Sequence, residues 1–167
     1  MRTFGARWFL ASTPATVGVA RHRAVAQLRA WGYQFDPDTA STLALLVSEV
    51  VTNAVLHGKG DFLTIAVVAR GEEVFVEVLD ASNVAPSPRA AAPGDEGGRG
   101  MFLVEALASA WGIQPTPRGK AVWLTYTLPE QPVPARGRRR ADLLAQLIRR
   151  ARPRIYVGMS PAPAAHP

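Results

Sequence analysis

The chain has 167 residues, 48% of them hydrophobic, which is one domain's worth of sequence with enough apolar material for a sizeable core. Cysteine is absent, which excludes a disulfide framework, a thiol nucleophile and any cysteine-ligated metal. The net charge of +6 suggests a nucleic-acid partner until it is located: residues 134–167 carry eight Arg against Asp142 alone, while residues 1–133 carry eleven Lys/Arg against twelve Asp/Glu.

The elements alternate legibly through residue 128. Ala6 to Leu10 could be a strand, ended by Ser12-Thr13-Pro14, a helix cap followed by proline in the first turn. A helix from about Pro14 to Trp31 places Val17, Ala20, Ala24, Leu28 and Trp31 on one face, and Gly32 closes it. Asp36-Pro37 or Asp38 caps a second helix. Its Leu43, Leu46, Val47, Val50, Val51, Ala54 and Val55 recur with strict helical spacing.

After Gly58-Lys59-Gly60 the period changes. Phe62 to Ala69 and Val74 to Leu79 read as strands, joined as a hairpin by Arg70-Gly71-Glu72-Glu73. Residues 83–97 form a loop rich in Pro, Ala and Gly, followed by a helix from about Gly100 to Ala110. Strands near Gly112 to Thr116 and Ala121 to Thr127 come last, turned by Pro117-Arg118-Gly119-Lys120. Without βαβ regularity, the expected class is α+β, with helices on one face of a mainly antiparallel sheet.

A boundary is expected near Pro129, beyond which lie half of the prolines, so residues 129–167 form a Pro/Arg-rich basic tail that is largely disordered. One short helix is possible at 138–152, with Leu143, Leu144, Leu147 and Ile148 on one side. No stretch approaches the roughly 20 apolar residues of a membrane span, and the N-terminus lacks the plan of a signal peptide. A cytoplasmic protein is expected. His22, His57 and His166 are too scattered for a metal cluster.

Three constellations could carry chemistry. Glu49, Asn53 and His57, spaced four and four, share one side of the second helix along the edge of its apolar stripe. Glu49 could orient or deprotonate a nucleophile, and Asn53 could offer its carbonyl oxygen to a hard cation such as Mg²⁺. A solvated helix edge explains the same spacing. Asp80, leaving a strand into Ala81-Ser82-Asn83, could accept a hydrogen bond from a ligand's amino group, or could simply close the strand with an Asx turn. Gly97-Gly98-Arg99-Gly100 runs straight into Met101-Phe102-Leu103-Val104, where backbone N–H groups, a helix N-terminus and Arg99 could meet an anion. A flexible hinge is the alternative there.

In this order, the segments Ser48 to Gly58, Asp80, and Gly97 to Val104 resemble the GHKL (Bergerat-fold) ATPases. Among them the chain looks most like the stand-alone anti-sigma factor serine/threonine kinases and their actinobacterial relatives, from about residue 10 to residue 128. The resemblance implies a two-layer α/β sandwich with ATP and Mg²⁺ as cofactors. It makes Glu49 the general base and Asn53 the Mg²⁺ ligand. Asp80 would bind the adenine amino group with Ser82 beside it, and residues 84–97 would be a lid. Gly98, Arg99, Gly100, Met101 and Phe102 would cradle the phosphates. It further implies a partner-switching role in transcription regulation, phosphorylating an antagonist protein and sequestering a sigma factor, with homodimerisation possible through the first strand and helix.

The sequence departs from that family at two places. Ala81-Ser82-Asn83 follows Asp80 where many members have a second glycine, and Lys120-Ala121 stands where members often place a threonine near the adenine. A sensor histidine kinase shares the fold, but residues 14–31 leave no room for its phosphoacceptor hairpin. Two further readings stay open: a docking module that binds ATP without turnover, and a nucleic-acid contact through the Arg-rich tail, marked by steep salt dependence.

Overall fold

The computed structural model describes residues 2–82 and 99–129. The predicted lid at 84–97, Gly98 and nearly all of the basic tail, with its short helix at 138–152, lie outside them. Strand β1 spans Thr3–Ala11, helix α1 Pro14–Ala30, α2 Pro37–His57, β2 Phe62–Arg70 and β3 Glu73–Asp80. Helix α3 follows at Arg99–Leu107, then β4 at Ala110–Thr116 and β5 at Gly119–Thr127. The five strands form one sheet in the order β1-β2-β3-β5-β4, every neighbouring pair antiparallel.

The three helices make the second layer. The pattern of apolar residues dictates which side of each element faces inward. Leu63, Ile65, Val67 and Ala69 of β2, with Val74, Val76 and Val78 of β3, alternate onto the helix-facing side, as period-two side chains must. Helix α2 answers with Leu43, Leu46, Val47, Val50, Val51 and Ala54, all buried. Helix α1 packs on α2 through Ala20, Ala24 and Leu28, one turn apart. Small residues there allow the helices a close approach.

The caps differ from expectation in detail. Asp36 caps α2, its Oδ1 accepting from the Thr39 N–H at 2.7 Å, so Asp38 is not the cap. Thr13 stands at the cap position of α1 but makes no side-chain cap bond. Its hydroxyl lies 3.2 Å from that of Thr16, which donates at 2.6 Å to the Ala11 carbonyl. Helix α3 stops at Leu107 rather than Ala110, because Ser109 already joins the sheet: its N–H donates to Thr125 O, and its hydroxyl accepts from the Thr127 N–H.

One expectation needs correcting. Helix α2 is long and apolar enough, by length and composition alone, to cross a bilayer. Its buried residues are those that meet α1 and the sheet, so the packed core accounts for its apolarity.

On the other face of the sheet, register lines up Arg7, Ala66, Glu77, Trp123 and Gly112 across all five strands. The Trp123 ring lies over Gly112, where a Cβ would collide with it, and stacks on Phe75. Glu77 is buried 4.0 Å from Arg7. Burial pushes its carboxyl above the usual carboxylate range, against the smaller opposing pull of Arg7. A raised carboxyl leaves the fold unpenalised at low pH and removes stability as pH rises through its folded value. Glu77→Gln should therefore raise the thermal midpoint at pH 7, with the gain vanishing below about pH 4, where the native carboxyl is neutral in both states. Melting curves at pH 3.5 and pH 7 check this.

Candidate functional site

The site is built along α2. Glu49 and Asn53 lie one turn apart and half-buried, and the helix ends at Gly58 beside Asp80. From Glu49 to Gly58 the axis advances about 13 Å. The site thus has a Glu49 end and an Asp80 end, both set against helix α2. His57 is exposed at the helix end.

At the first end, α3 begins against Glu49. A Cβ on Gly100 would collide with Glu49 Oε2, so a side chain there would displace the Glu49 carboxyl. Met101 is buried in the core and Phe102 is 60% exposed, so Met101 anchors the first turn of α3. Arg99 opens α3 by its backbone. Burial raises the Glu49 carboxyl above its usual range, which suits a proton acceptor.

Asn53 Oδ1 is buried and has no hydrogen-bond partner among the described residues. An orphaned amide carbonyl costs about 1–3 kcal/mol, so it marks a place where a ligand completes the structure. Three or more His, Asp or Glu side chains do not gather into a metal cage among the described residues. A cation here would be held by the one amide oxygen, with the rest of its shell from ligand and water, as Mg²⁺ prefers.

At the other end Asp80 is 6% exposed. Its Oδ1 accepts from the Ser82 N–H at 2.8 Å, so the Asx-turn expectation is realised by one oxygen. The same Oδ1 accepts from Lys120 Nζ at 3.0 Å. Oδ2 is buried with no partner among the described residues. Asp80 therefore closes its strand and still offers an acceptor. Around it, Gly119 holds φ at +141°, and a Cβ there would collide with the Asp80 carbonyl and Ala81. Ser82 is fully buried.

The structure thus sets Gly100 against Glu49, with Asn53 one turn further along α2, and holds Asp80 and Ser82 together beside the end of the same helix. Gly98 lies outside the described residues, as does the side chain of Arg99. Lys120 was missed as a site residue. It was placed in a turn, but it is the first-paired partner of Asp80 in the β3–β5 register, and the opposite charges at strand ends were the available signal.

Residues 10–126 match the model of the histidine kinase-like ATPase domain. The fold is similar to the crystal structure of the RsbU and RsbW domains of Rv1364c from Mycobacterium tuberculosis, with a TM-score of 0.58 and 21% identity. The match covers 81% of this chain and 35% of that one, so the chain corresponds to about a third of that longer polypeptide. No curated protein matches the sequence. The five-stranded antiparallel sheet under three helices and the matched span place the chain in the family of histidine kinase-like ATPase domains.

Proposed function

We propose that the chain is a Mg²⁺-dependent ATP-binding regulatory protein of the anti-sigma-factor kinase type. It would transfer the γ-phosphoryl group to a serine of an antagonist protein and, unphosphorylated antagonist aside, hold a sigma factor. The observation that carries the nucleotide reading is the pair of buried acceptors without a partner among the described residues, Asn53 Oδ1 on α2 and Asp80 Oδ2 beside the end of that helix. Membership of the ATPase family supports it, as do the sequence resemblance and the likeness to a chain containing an RsbW domain.

Each residue has a task in this scheme. Asp80 Oδ2 accepts a proton of the base's amino group. Asn53 would hold Mg²⁺ through Oδ1, and the ion, when bound, supplies positive charge to the phosphate oxygens. The first N–H groups of α3, from Arg99 onward, face the phosphates with the positive end of the helix. Glu49 takes the serine hydroxyl proton as the new O–P bond forms and the bond to the bridging oxygen breaks, releasing ADP. A carboxyl raised by burial is a stronger base than an ordinary one. Positioning and charge neutralisation do most of the rest.

Calorimetry of the native chain with ATP, with and without Mg²⁺, tests the proposal. Binding that strengthens with Mg²⁺ is expected, and Glu49→Gln should keep it while losing phosphoryl transfer. No binding up to about 1 mM ATP, a level at which only about 4 kcal/mol of affinity is needed, would remove the nucleotide reading. Binding with no transfer to any serine-bearing partner would leave a docking module instead.

A further inference from the structure

The face of the sheet turned away from the helices is not a polar one. An antiparallel sheet with one face in water alternates apolar residues inward with polar residues outward. Here Val68, Phe75, Leu79 and Trp123 stand on the outward side together with Ala66 and Ala121. No described element lies over them, since the three helices pack on the opposite face. Yet Ala66, Val68 and Ala121 are buried without belonging to the core cluster. Glu77, whose neighbour on β2 is only an alanine, is 7% exposed, whereas Phe9 on the edge strand β1 is 69% exposed. Burial within one chain comes from that chain's own residues.

The chain carries a segment of matching shape. Strand β5 lies inside the sheet, between β3 and β4, and its last residue Thr127 pairs with Glu73 at the hairpin-turn end. Residues 130–137 follow, with Pro132, Pro134 and Gly137, and fully extended they reach about 26 Å, enough to turn back over the face. Residues 138–152, outside the described residues, then place Leu143, Leu144, Leu147 and Ile148 at helical spacing, with arginines on both sides in sequence. As a helix they would measure about 22 Å, close to the length of β3. A helix this short is marginal alone in water and gains its stability by burying its apolar face. Arg7, Arg70, Glu73 and Glu77 balance in charge on the outward face, so it does not repel a basic segment.

We propose that residues 138–152 form an amphipathic helix that docks its Leu143, Leu144, Leu147 and Ile148 stripe on the outward face of β2, β3 and β5. The chain thereby closes its own sheet face to other proteins. This does not rest on the nucleotide reading, and either can fail without the other.

The native chain has no cysteine, so a single introduced thiol reports alone. Leu147→Cys places it on the apolar stripe, and Gln146→Cys places it off the stripe in the same turn. In the full chain, an aromatic disulfide reagent should modify Leu147→Cys at least about tenfold more slowly than Gln146→Cys, with equal rates in denaturant. Adding Ala66→Arg, which plants a charge beneath the docked helix, should bring the two rates to within about twofold. Equal rates in the otherwise native chain overturn the proposal. So does a slow Leu147→Cys that stays slow in Ala66→Arg with native circular dichroism. Protection that fades on dilution, with dimers in sedimentation, assigns the face to a second copy and overturns it too. Should Ala66→Arg not fold, Phe75→Asp, at a half-buried position, takes its place. Should neither fold, a benzophenone attached to Ala151→Cys decides. Cross-linking within one chain to residues 62–80 or 119–127 upholds the docking, and any other product, or none, overturns it.

Discussion

Asn53→Ala is expected to bind Mg²⁺-ATP about 100-fold more weakly than the native chain, while its ligand-free form unfolds at an equal or higher temperature. The two halves of this expectation have one cause. Asn53 Oδ1 is a buried acceptor that no described residue satisfies, so the free protein carries its desolvation cost. Alanine removes that cost and is the better helix former by about half a kcal/mol in the interior of α2. With the oxygen gone, no group nearby on α2 replaces it, because Glu49 lies a full turn away against Gly100. A residue whose loss stabilises the fold and destroys binding is held for the ligand. Thermal melts paired with calorimetry measure both halves, and native-like binding by Asn53→Ala would refute the assignment.

Gly119→Ala is the second large effect: a loss of about 3 kcal/mol in stability, together with loss of nucleotide binding. The residue combines two constraints. Its φ of +141° is a conformation that L side chains rarely adopt, and a Cβ would strike the backbone of Asp80 and Ala81. Backbone cannot step aside as the end of a side chain can. Relief must come from separating β5 from β3 at the Asp80–Lys120 pair, which moves the carboxylate that the proposed scheme assigns to the base. Gly18→Ala is the matched control, since Gly18 lies inside α1 with open space around its missing Cβ. It should gain about 0.5–1 kcal/mol and bind nucleotide normally. Urea denaturation of both variants reads the contrast.

The long helix α2 and the β2–β3 hairpin were legible because their periods are unambiguous. Seven apolar positions at helical spacing leave α2 no other state, and β2 and β3 are rich in β-branched and aromatic residues on either side of a two-residue turn. Glu49 and Asn53 were singled out by their four-residue spacing along the helix edge and Asp80 by its place where a strand runs into a loop, and their order along the chain carried the resemblance. Strand β1 was expected from Ala6 to Leu10, and it is pairing with β2 along its whole length that carries it from Thr3 to Ala11. Lys120 was hidden by composition: a lysine after Pro-Arg-Gly reads as a solvated turn, and only the partner strand explains its burial. The orphaned oxygens were beyond reach of any pattern, because what a polar atom lacks is a property of packed neighbours.

The register of the sheet also says where the polypeptide comes and goes. Thr3 lies opposite Arg70 and Thr127 opposite Glu73, so both the incoming and the outgoing chain meet the sheet at its hairpin-turn end. Asp80 and Lys120 sit at the other end, seven residues along β3, or about 23 Å away. Reporter domains joined at Thr3 and Thr127 would therefore attach at the end of the sheet opposite the Asp80–Lys120 pair.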